Sequence, residues 1–433
     1  MMALWTSAAL VAVTAVAVLW LPGFFRQQPP VIVDGFVAKG FEEVEEAFRR
    51  TYETNLNPRE GGSAFSVYYK GEKVVDIWGG YADFESRQEW RRDTISVFFS
   101  STKGVAAICI AMLVERGLLD YDKPVSLYWP EFAQKGKGNI TVRQLLEHQA
   151  GLVLAAPPGL SFDLLSDVAK AGDRMSSTEP LWDVDGKTHG YHAITFGPLT
   201  NELLRRVDPK HRTMGQFFKE ELAQPFGLDF YIGLPLEENY RTARLLGGGS
   251  NVITDLLQGI SSPTNRQIIL HMMQSDLLTR IIENSGIGNI AVLNNPYNRQ
   301  VELPSALGIG TAESVAKLYG ILAAGGVDSW TNRTLLTKPI LSKLFTSTPP
   351  TFDKTLGVPI AFNLGLMVFD SVEGEILYGH PGARGQIGFA DPKNQLGMGF
   401  VSNTMSPFFL RDDPRTGALL SALYKCTRRI ENK

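Results

Sequence analysis

Cysteine is scarce in this chain, which has only Cys109 and Cys426 among its 433 residues. Two thiols cannot build a disulfide framework or a zinc site made of four cysteines. Basic residues are not in excess either, because 42 Lys and Arg face 45 Asp and Glu, for a net charge of -3. This balance lacks the basic footprint of a nucleic-acid-binding protein. The sequence therefore predicts no nucleic-acid partner.

Several catalytic signatures are also missing. The chain has no Gly-x-Ser-x-Gly elbow of an α/β-hydrolase, no His-Glu-x-x-His helix of a zinc peptidase and no close cluster of cysteine and histidine. The sequence accordingly predicts neither a metal nor any other cofactor. Apolar residues make up 44% of the chain, which is enough for a large core.

Residues 1–25 contain no charged side chain, and the first is that of Arg26. An apolar run of this length can cross a bilayer as one helix. The alternative is a cleaved signal peptide, since 15–17 reads Ala-Val-Ala, but the run continues past this site and no basic stretch precedes it. We expect a single-pass membrane anchor at 1–25, a linker at 26–39 and a catalytic domain at 40–430. The sequence leaves open which side of the membrane the domain occupies.

A serine and a lysine stand three residues apart in Ser100-Ser101-Thr102-Lys103. On a helix this spacing puts the hydroxyl and the amine on one face, where the lysine can take the proton of a serine nucleophile. Residues 94–99 are β-branched and aromatic like a buried strand, and apolar residues then recur at helical spacing until Gly117. Ser100 is therefore predicted as a nucleophile at the start of a helix, with Lys103 one turn inside.

The same spacing occurs at Ser314 and Lys317. The apolar residues after Thr311, a plausible helix cap, form a stripe from which both side chains face away. We expect this second copy to be a solvated helix face and not a catalytic pair.

Three ordered segments follow Ser100, namely Gly117-Leu118-Leu119-Asp120, Tyr128-Trp129-Pro130 and ITVRQLLEHQAGL at 140–152. With them the chain resembles the superfamily of serine β-lactamases and penicillin-binding proteins, from about Gly40 to about Ile430. The resemblance is greatest to the branch of class C β-lactamases and EstB-type esterases, which includes animal β-lactamase-domain proteins. It implies an α+β fold, with an antiparallel sheet flanked by helices and built from both chain ends. A helical domain would be inserted between those ends, with the site between the lobes.

Gly190-Tyr191-His192-Ala193 stands where this superfamily has its second motif. The resemblance makes Tyr191 a second catalytic base. A phenol has a pKa of about 10, but a nearby ammonium favours the phenolate, while desolvation lowers the pKa of a lysine. Lys103 and Tyr191 are therefore expected to titrate as a coupled pair, and which of them takes the serine proton stays open.

Gly379-His380-Pro381-Gly382-Ala383 corresponds to the third motif, a strand at the edge of the site. By this resemblance the backbone N–H groups of Ser100 and Ala383 form the oxyanion hole. His380 and Gly382 are expected to bind substrate. Gly382 would lack a side chain because the acyl group approaches the backbone there. His380 would polarise the substrate with a pKa near neutrality, or else be structural.

Two departures from the superfamily bear on the substrate. The second motif normally ends in asparagine and the third often has lysine and threonine, whereas this chain has Ala193, His380 and Pro381. Those missing groups hold the amide and carboxylate of a β-lactam, so efficient β-lactam hydrolysis is not expected. The sequence favours a hydrolase that attacks a small-molecule or peptide ester or amide through an acyl-enzyme on Ser100. The alternatives are a genuine β-lactamase or peptidase, and a catalytically idle fold kept as a scaffold or assembly protein.

The hydrophobic pattern also predicts individual elements. These are a first helix through Phe41 to Tyr52, a hairpin of strands 64–69 and 74–78, strands at 362–367, 376–378, 386–390 and 396–401, and a closing helix through Leu419 to Tyr424.

Overall fold

The computed structural model describes residues 31–54, 60–247, 259–287, 290–371, 373–408 and 412–432. The membrane anchor predicted at 1–25 lies outside the described residues. No helix in the described ranges is both long and apolar enough to cross a membrane. Residues 33–37, predicted as part of the linker at 26–39, instead form a strand, because their backbone pairs with the edge of the N-terminal hairpin.

The main sheet joins the two ends of the chain. Its strands are β1 (Val33–Val37), β2 (Gly62–Tyr69), β3 (Glu72–Asp83), β4 (Gln88–Glu89), β8 (Thr351–Phe352), β9 (Pro359–Asn363), β10 (Leu366–Asp370), β11 (Ile376–Pro381), β12 (Ile387–Asp391) and β13 (Leu396–Ser402). They are antiparallel in the order β1-β3-β2-β13-β12-β11-β10-β9-β8, with β4 beside β3. Because β2 pairs with β13, the first hairpin and the last strand lie side by side at the heart of the sheet.

A smaller sheet of three strands lies beside the turn that contains Ser100. Its strands are β5 (Ser96–Val97), β6 (Phe230–Ile232) and β7 (Gly308–Gly310), in the order β5-β7-β6. Of the apolar run at 94–99, only Ser96 and Val97 therefore belong to a strand of this sheet.

The helices fall into two groups, those that form the core with the main sheet and those inserted in the chain between Glu115 and Gly308. The first group is α1 (Glu42–Glu53), α2 (Thr102–Glu115), α11 (Ala312–Ala323), α12 (Lys338–Leu344) and α13 (Pro414–Glu431). The second is α3 (Val142–Leu146), α4 (Phe162–Leu165), α5 (Val168–Ser177), α6 (Phe196–Val207), α7 (Met214–Phe218, continued by Lys219–Ala223 and Gln224–Phe226), α8 (Pro263–Gln274), α9 (Leu277–Glu283) and α10 (Pro296–Arg299). This arrangement confirms the predicted α+β architecture with helices inserted between the two chain ends.

Helices α1 and α13 pack on one face of the sheet. Phe48 of α1 and Leu423 of α13 lie in one buried cluster with Phe65 and Phe400 of the central strands. Full burial of such a side chain contributes about 1.5–3 kcal/mol. On the other face α11 approaches so closely that a Cβ on Gly397 would lie 2.0 Å from the backbone of Gly320. Apolar contact on both faces explains why the central strands are buried.

Helix α2 runs through the interior and has Ser100 just before its first turn. All twelve residues from Thr102 to Leu113 are buried, not only the predicted stripe. A helix that is apolar on every side belongs inside a core, where packing fixes its position. The start of α2 is therefore a rigid support for the residues around Ser100.

Most of the predicted elements are confirmed, including the first helix, the hairpin and the closing helix, but two predictions are wrong. The strand predicted at 362–367 is a hairpin, because Leu364 and Gly365 turn the chain with φ +50° and +90°. The second serine and lysine pair is not solvated. Ser314 is buried and its hydroxyl accepts from the Asp229 amide at 2.7 Å, while the amine of Lys317 donates to a backbone carbonyl.

Candidate active site

Ser100 lies in a tight turn between β5 and α2. Phe99 before it has a left-handed backbone with φ +47°, a conformation that costs a non-glycine residue about 1–3 kcal/mol. The hydroxyl of Thr102 holds this turn, since it donates to the Phe99 carbonyl at 2.5 Å and accepts from the Gly308 amide at 2.8 Å. Ser100 keeps part of its surface exposed, so a substrate can reach it.

Lys103 lies one turn further along α2 and is fully buried. Its Nζ is 3.3 Å from Oγ of Ser100. It also donates to the carbonyl oxygens of Ala193 at 2.7 Å and Ser305 at 2.8 Å. Burial lowers the pKa of Lys103 well below its ordinary value. In the neutral amine two hydrogens serve the two carbonyls, and the lone pair is left for the proton of Ser100.

A second buried lysine shows what is specific to this arrangement. Lys137 is also fully buried and donates to the carbonyl oxygens of Ser176 at 2.8 Å and Thr178 at 2.5 Å. Burial lowers its pKa to about 8. Both of its acceptors are carbonyls, which have no proton to give. Lys103 differs because its third neighbour is a hydroxyl.

Tyr191 approaches Ser100 from the segment before α6. It is buried, and its hydroxyl lies near enough to the Ser100 side chain to interact with it. Burial raises the pKa of Tyr191 above its ordinary value. Nζ of Lys103 lies 4.8 Å from the centre of the Tyr191 ring, over its face. Of the two effects predicted here, burial does lower the pKa of Lys103, whereas the pKa of Tyr191 rises and no stabilised phenolate accompanies the lysine.

The two amides predicted to form the oxyanion hole lie in neighbouring segments. Neither the Ser100 N–H nor the Ala383 N–H donates a hydrogen bond to another described residue. Ala383 is exposed and begins the short 3-10 helix Ala383–Gly385, where a first N–H has no partner inside the helix. Both donors therefore remain available to a developing oxyanion.

The structure supplies a reason for glycine at position 382 that does not depend on substrate. A Cβ there would lie 2.3 Å from the carbonyl oxygen of Phe98 and 2.7 Å from Cβ of Gln386. The chain's own atoms exclude a side chain, and no approaching acyl group is needed to explain the glycine. The close approach instead places β11 directly beside the turn that leads to Ser100.

His380 is buried and stacks on Tyr191, with ring centroids 5.7 Å apart. Its Nδ1 donates to the carbonyl oxygen of Pro381 at 2.7 Å, so Nε2 has the lone pair. Nε2 has no hydrogen-bond partner in the part of the chain that the structure describes. Burial, with the neighbouring Lys103, lowers the pKa of His380 well below its ordinary value. The predicted pKa near neutrality is therefore wrong, and the ring is a neutral acceptor.

Four of the six histidines lie around Tyr191, namely His148, His189, His192 and His380. Each of them forms at least one hydrogen bond within the protein, and His189 and His192 use both ring nitrogens. His189, for example, is 2.9 Å from Asp353 and 2.7 Å from Thr351 through its two ring nitrogens. Within the described ranges no group of His, Cys, Asp or Glu is arranged to hold a metal ion.

The sequence gives no signal for two contributors to this site. The acceptors from Ala193 and Ser305 are backbone carbonyls, which any residue type can supply. Ala193, judged from its side chain, was expected to contribute no hydrogen bond. Its backbone does contribute one, so the position keeps a polar role without an asparagine.

Comparison with known proteins places the chain among relatives over most of its length. The Beta-lactamase family matches residues 44–422. The esterase/beta-lactamase LipL of Mycobacterium tuberculosis is 32% identical over 363 residues, which cover 82% of this chain and 80% of LipL. A family VIII carboxylesterase of known structure is 33% identical, with a TM-score of 0.79, over 91% of this chain and 100% of its own. A penicillin-binding protein homologue from Caulobacter crescentus is 32% identical, with a TM-score of 0.75, over 91% of this chain and 100% of its own.

These matches confirm the resemblance seen in the sequence motifs. The family match includes Ser100, Lys103, Tyr191 and His380, and the structural matches extend over both the sheet and the inserted helices. The chain therefore belongs to the beta-lactamase family and is a serine hydrolase.

Proposed function

We propose that this serine hydrolase cleaves carboxylic esters through an acyl-enzyme on Ser100, with Lys103 as the general base. The main support is the set of three polar neighbours around Nζ of Lys103: two carbonyl oxygens and the hydroxyl of Ser100. A buried amine held by two fixed acceptors presents its lone pair to the third neighbour. The names of LipL and of the family VIII carboxylesterase favour esters among the acyl compounds that such a site could attack.

The proposed reaction has two halves. Lys103 takes the proton of Ser100 while Oγ bonds to the acyl carbon, and the N–H groups of Ser100 and Ala383 donate to the oxyanion. The C–O bond to the alcohol then breaks, and the alcohol leaves with a proton from the pair formed by Lys103 and Tyr191. In the second half water gives a proton to this pair and attacks the acyl carbon. The acid is released as Oγ regains its proton.

Two residues near Ser100 favour an ester over a β-lactam. Ala193 has no side-chain amide to hold the amide of a β-lactam, although its backbone holds Lys103. His380 is a neutral acceptor that cannot form an ion pair with the carboxylate of a β-lactam. An ester without amide or carboxylate needs neither partner, so its binding is not weakened by their absence.

The proposal is tested with a fluorophosphonate probe and a short-chain p-nitrophenyl ester. We expect the wild-type protein to be labelled on Ser100 and Ser100→Ala to lose both labelling and turnover. Ser314→Ala is the matched control, because Ser314 has the same spacing to a lysine but binds the Asp229 amide. It should keep both activities, although the loss of the buried acceptor for the Asp229 amide should lower its melting temperature. Labelling that persists in Ser100→Ala would reject this nucleophile, and a wild-type protein inert to both reagents would favour the idle scaffold.

We also propose, from the sequence alone, that residues 1–25 anchor this domain to a membrane. Alkaline carbonate extraction of the expressed full chain should leave it in the membrane pellet. An N-terminus that begins after Ala17 in a soluble product would instead identify a cleaved signal peptide.

A further inference from the structure

The ring of His148 packs against that of Tyr191, and the residue lies just past the end of α3. It is fully buried and has a left-handed backbone with φ +61°. Histidine occupies this region more readily than most residues, but the conformation is still uncommon and unfavourable. A buried residue in such a conformation must be held there by its surroundings. Its contacts show what the conformation achieves.

Two hydrogen bonds join His148 to the residues on either side of Tyr191. The Gly190 N–H donates to the carbonyl oxygen of His148 at 3.1 Å. The His192 N–H donates to Nδ1 of His148, also at 3.1 Å. Because Nδ1 accepts, the proton of the neutral ring is on Nε2. One residue therefore binds the backbone before and after the tyrosine.

The side chain of His192 also stabilises the segment around Tyr191. Its Nδ1 donates to the carbonyl oxygen of Gly190 at 2.7 Å, and its Nε2 accepts from the Leu152 N–H at 2.9 Å. Both ring nitrogens are occupied, so the neutral tautomer is fixed. The segment 190–192 belongs to no helix or strand, so these side-chain bonds replace a regular backbone ladder.

The His148 ring also touches the tyrosine itself. It meets the rings of Tyr191 and Phe362 edge to face, at centroid distances of 5.1 and 4.5 Å. Its Nε2 has no hydrogen-bond partner among the described residues. Phe362 in turn lies parallel to Tyr191, with centroids 6.3 Å apart. The rings of His148 and Phe362 thus both pack against the phenol ring.

We propose that His148 is a positioning residue for the reaction: by binding the backbone on both sides of Tyr191, it holds the phenol beside Ser100. This inference rests on the proposed function, because it assigns His148 an effect on catalysis through Tyr191. His148 is expected to touch neither the substrate nor the reacting atoms. Its effect is on geometry, and an error of about 1 Å at such a site costs on the order of a hundredfold in rate.

The test uses two substitutions that both tolerate the left-handed backbone. In His148→Asn the amide oxygen, bonded to Cγ like Nδ1, can still accept from the His192 N–H, whereas His148→Gly has no acceptor. We expect His148→Gly to lower kcat by on the order of a hundredfold with little change in KM, and His148→Asn to recover most of the loss. His211→Gly is the matched control, since His211 has φ +51° but is exposed. It should keep the wild-type kcat.

A double-mutant cycle asks whether the effect passes through Tyr191. In a Tyr191→Phe background His148→Gly should cost little more, because the phenol it positions is already gone. Fully additive losses would overturn the positioning role. Equal losses in His148→Asn and His148→Gly would also overturn it, because they would assign the effect to ring volume.

Hydrogen exchange separates this inference from the proposed function. In full-length protein the amides of 190–192 should exchange at least about tenfold faster in His148→Gly than in wild type or His148→Asn, whether or not any ester is cleaved. Unchanged protection in His148→Gly would overturn the inference even if esterase activity is found. Faster exchange in a protein without esterase activity would reject only the proposed function.

Discussion

Nζ of Lys103 lies 2.7 Å from the carbonyl oxygen of Ala193. The position that has an asparagine in the superfamily's second motif therefore binds Lys103, the proposed base, through its backbone. The side-chain change can alter substrate contacts without disturbing the lysine, because the two roles use different atoms. The base and the specificity of this site can vary separately.

The two buried lysines should respond differently to substitution. Lys103→Met should lower kcat by at least about a hundredfold, because it removes the group that takes the serine proton. Lys137→Met removes a lysine of equal burial whose acceptors are carbonyls alone, and it should change stability but not kcat per folded molecule. Ester turnover and thermal melting measured on both variants make the comparison. Equal losses of kcat would show that burial of the lysine, and not its contact with Ser100, is what matters.

The rate should follow the lowered pKa of Lys103. The base acts in its neutral form, so kcat/KM should rise as the pH increases through that pKa. The rise should be complete well below the ordinary lysine value of about 10.5. His380 should add no step near 6.5, because its pKa lies well below that value. A profile of kcat/KM between pH 5 and 10 for a neutral ester measures both features. A rate that rises only around pH 10 would mean that Lys103 is an ordinary ammonium.

Lys103 and Tyr191 should behave as one catalytic unit. Tyr191→Phe should lower kcat by about a hundredfold, because the variant lacks the hydroxyl that passes a proton to the leaving alcohol. The variant with both Lys103→Met and Tyr191→Phe should be little worse than the poorer single variant. Single-turnover rates with an activated ester allow the comparison. Losses that add as free energies would place the two groups in separate steps.

The side chains proposed as catalytic could be singled out in the sequence because each lies in a local pattern. Ser100 and Lys103 are one helical turn apart, and Tyr191 lies in an ordered series of motifs. Their protonation states could not be predicted, since these depend on burial, and burial follows from packing of distant segments. The acceptors at Ala193 and Ser305 are beyond sequence reasoning for a different reason. Every residue has a carbonyl, and only the fold decides where it points.

Errors in the predicted fold have similar causes. Residues 362–367 look like one strand because Leu364 is apolar, yet Leu364 adopts φ +50° to turn the chain before Gly365. Ser314 faces away from the apolar stripe of its own helix but is covered by the Asp229 backbone. The first error missed a local turn, and in the second a contact with another part of the chain overrides the local pattern.

The buried histidines should make the protein sensitive to acid. Burial lowers the pKa of His192 to about 3 and that of His148 well below 6.5. Between these values and about 6.5 the unfolded chain binds protons that the folded chain does not, so stability is complete above about 6.5 and falls with decreasing pH. His148→Asn should make the free energy of unfolding depend less steeply on pH, by about 1.4 kcal/mol per pH unit. Urea unfolding between pH 4.5 and 7 tests this, with the exposed His211→Asn as control. Equal slopes in His148→Asn and wild type would mean that His148 is charged or accessible.

Substitutions at Ala193 and His380 should have different effects on substrate preference. The wild-type enzyme should have a higher kcat/KM for a short-chain ester than for a cephalosporin. Ala193→Asn adds a side-chain amide while the backbone carbonyl that binds Lys103 stays in place. It should raise cephalosporin turnover relative to the ester, since a missing partner for a buried polar group costs about 1–3 kcal/mol.

His380→Lys should not have the same benefit, although a lysine is usual at that position in the superfamily. His380 is buried against Tyr191, and a second amine there would repel a charged Lys103 and lose its own hydration. We expect His380→Lys to lower stability and the turnover of both substrates. The comparison of kcat/KM for one ester and one cephalosporin across wild type, Ala193→Asn and His380→Lys decides the matter. A wild-type enzyme that already prefers the cephalosporin would contradict the ester assignment, and a gain of cephalosporin turnover in His380→Lys would show that the buried site accommodates a cation.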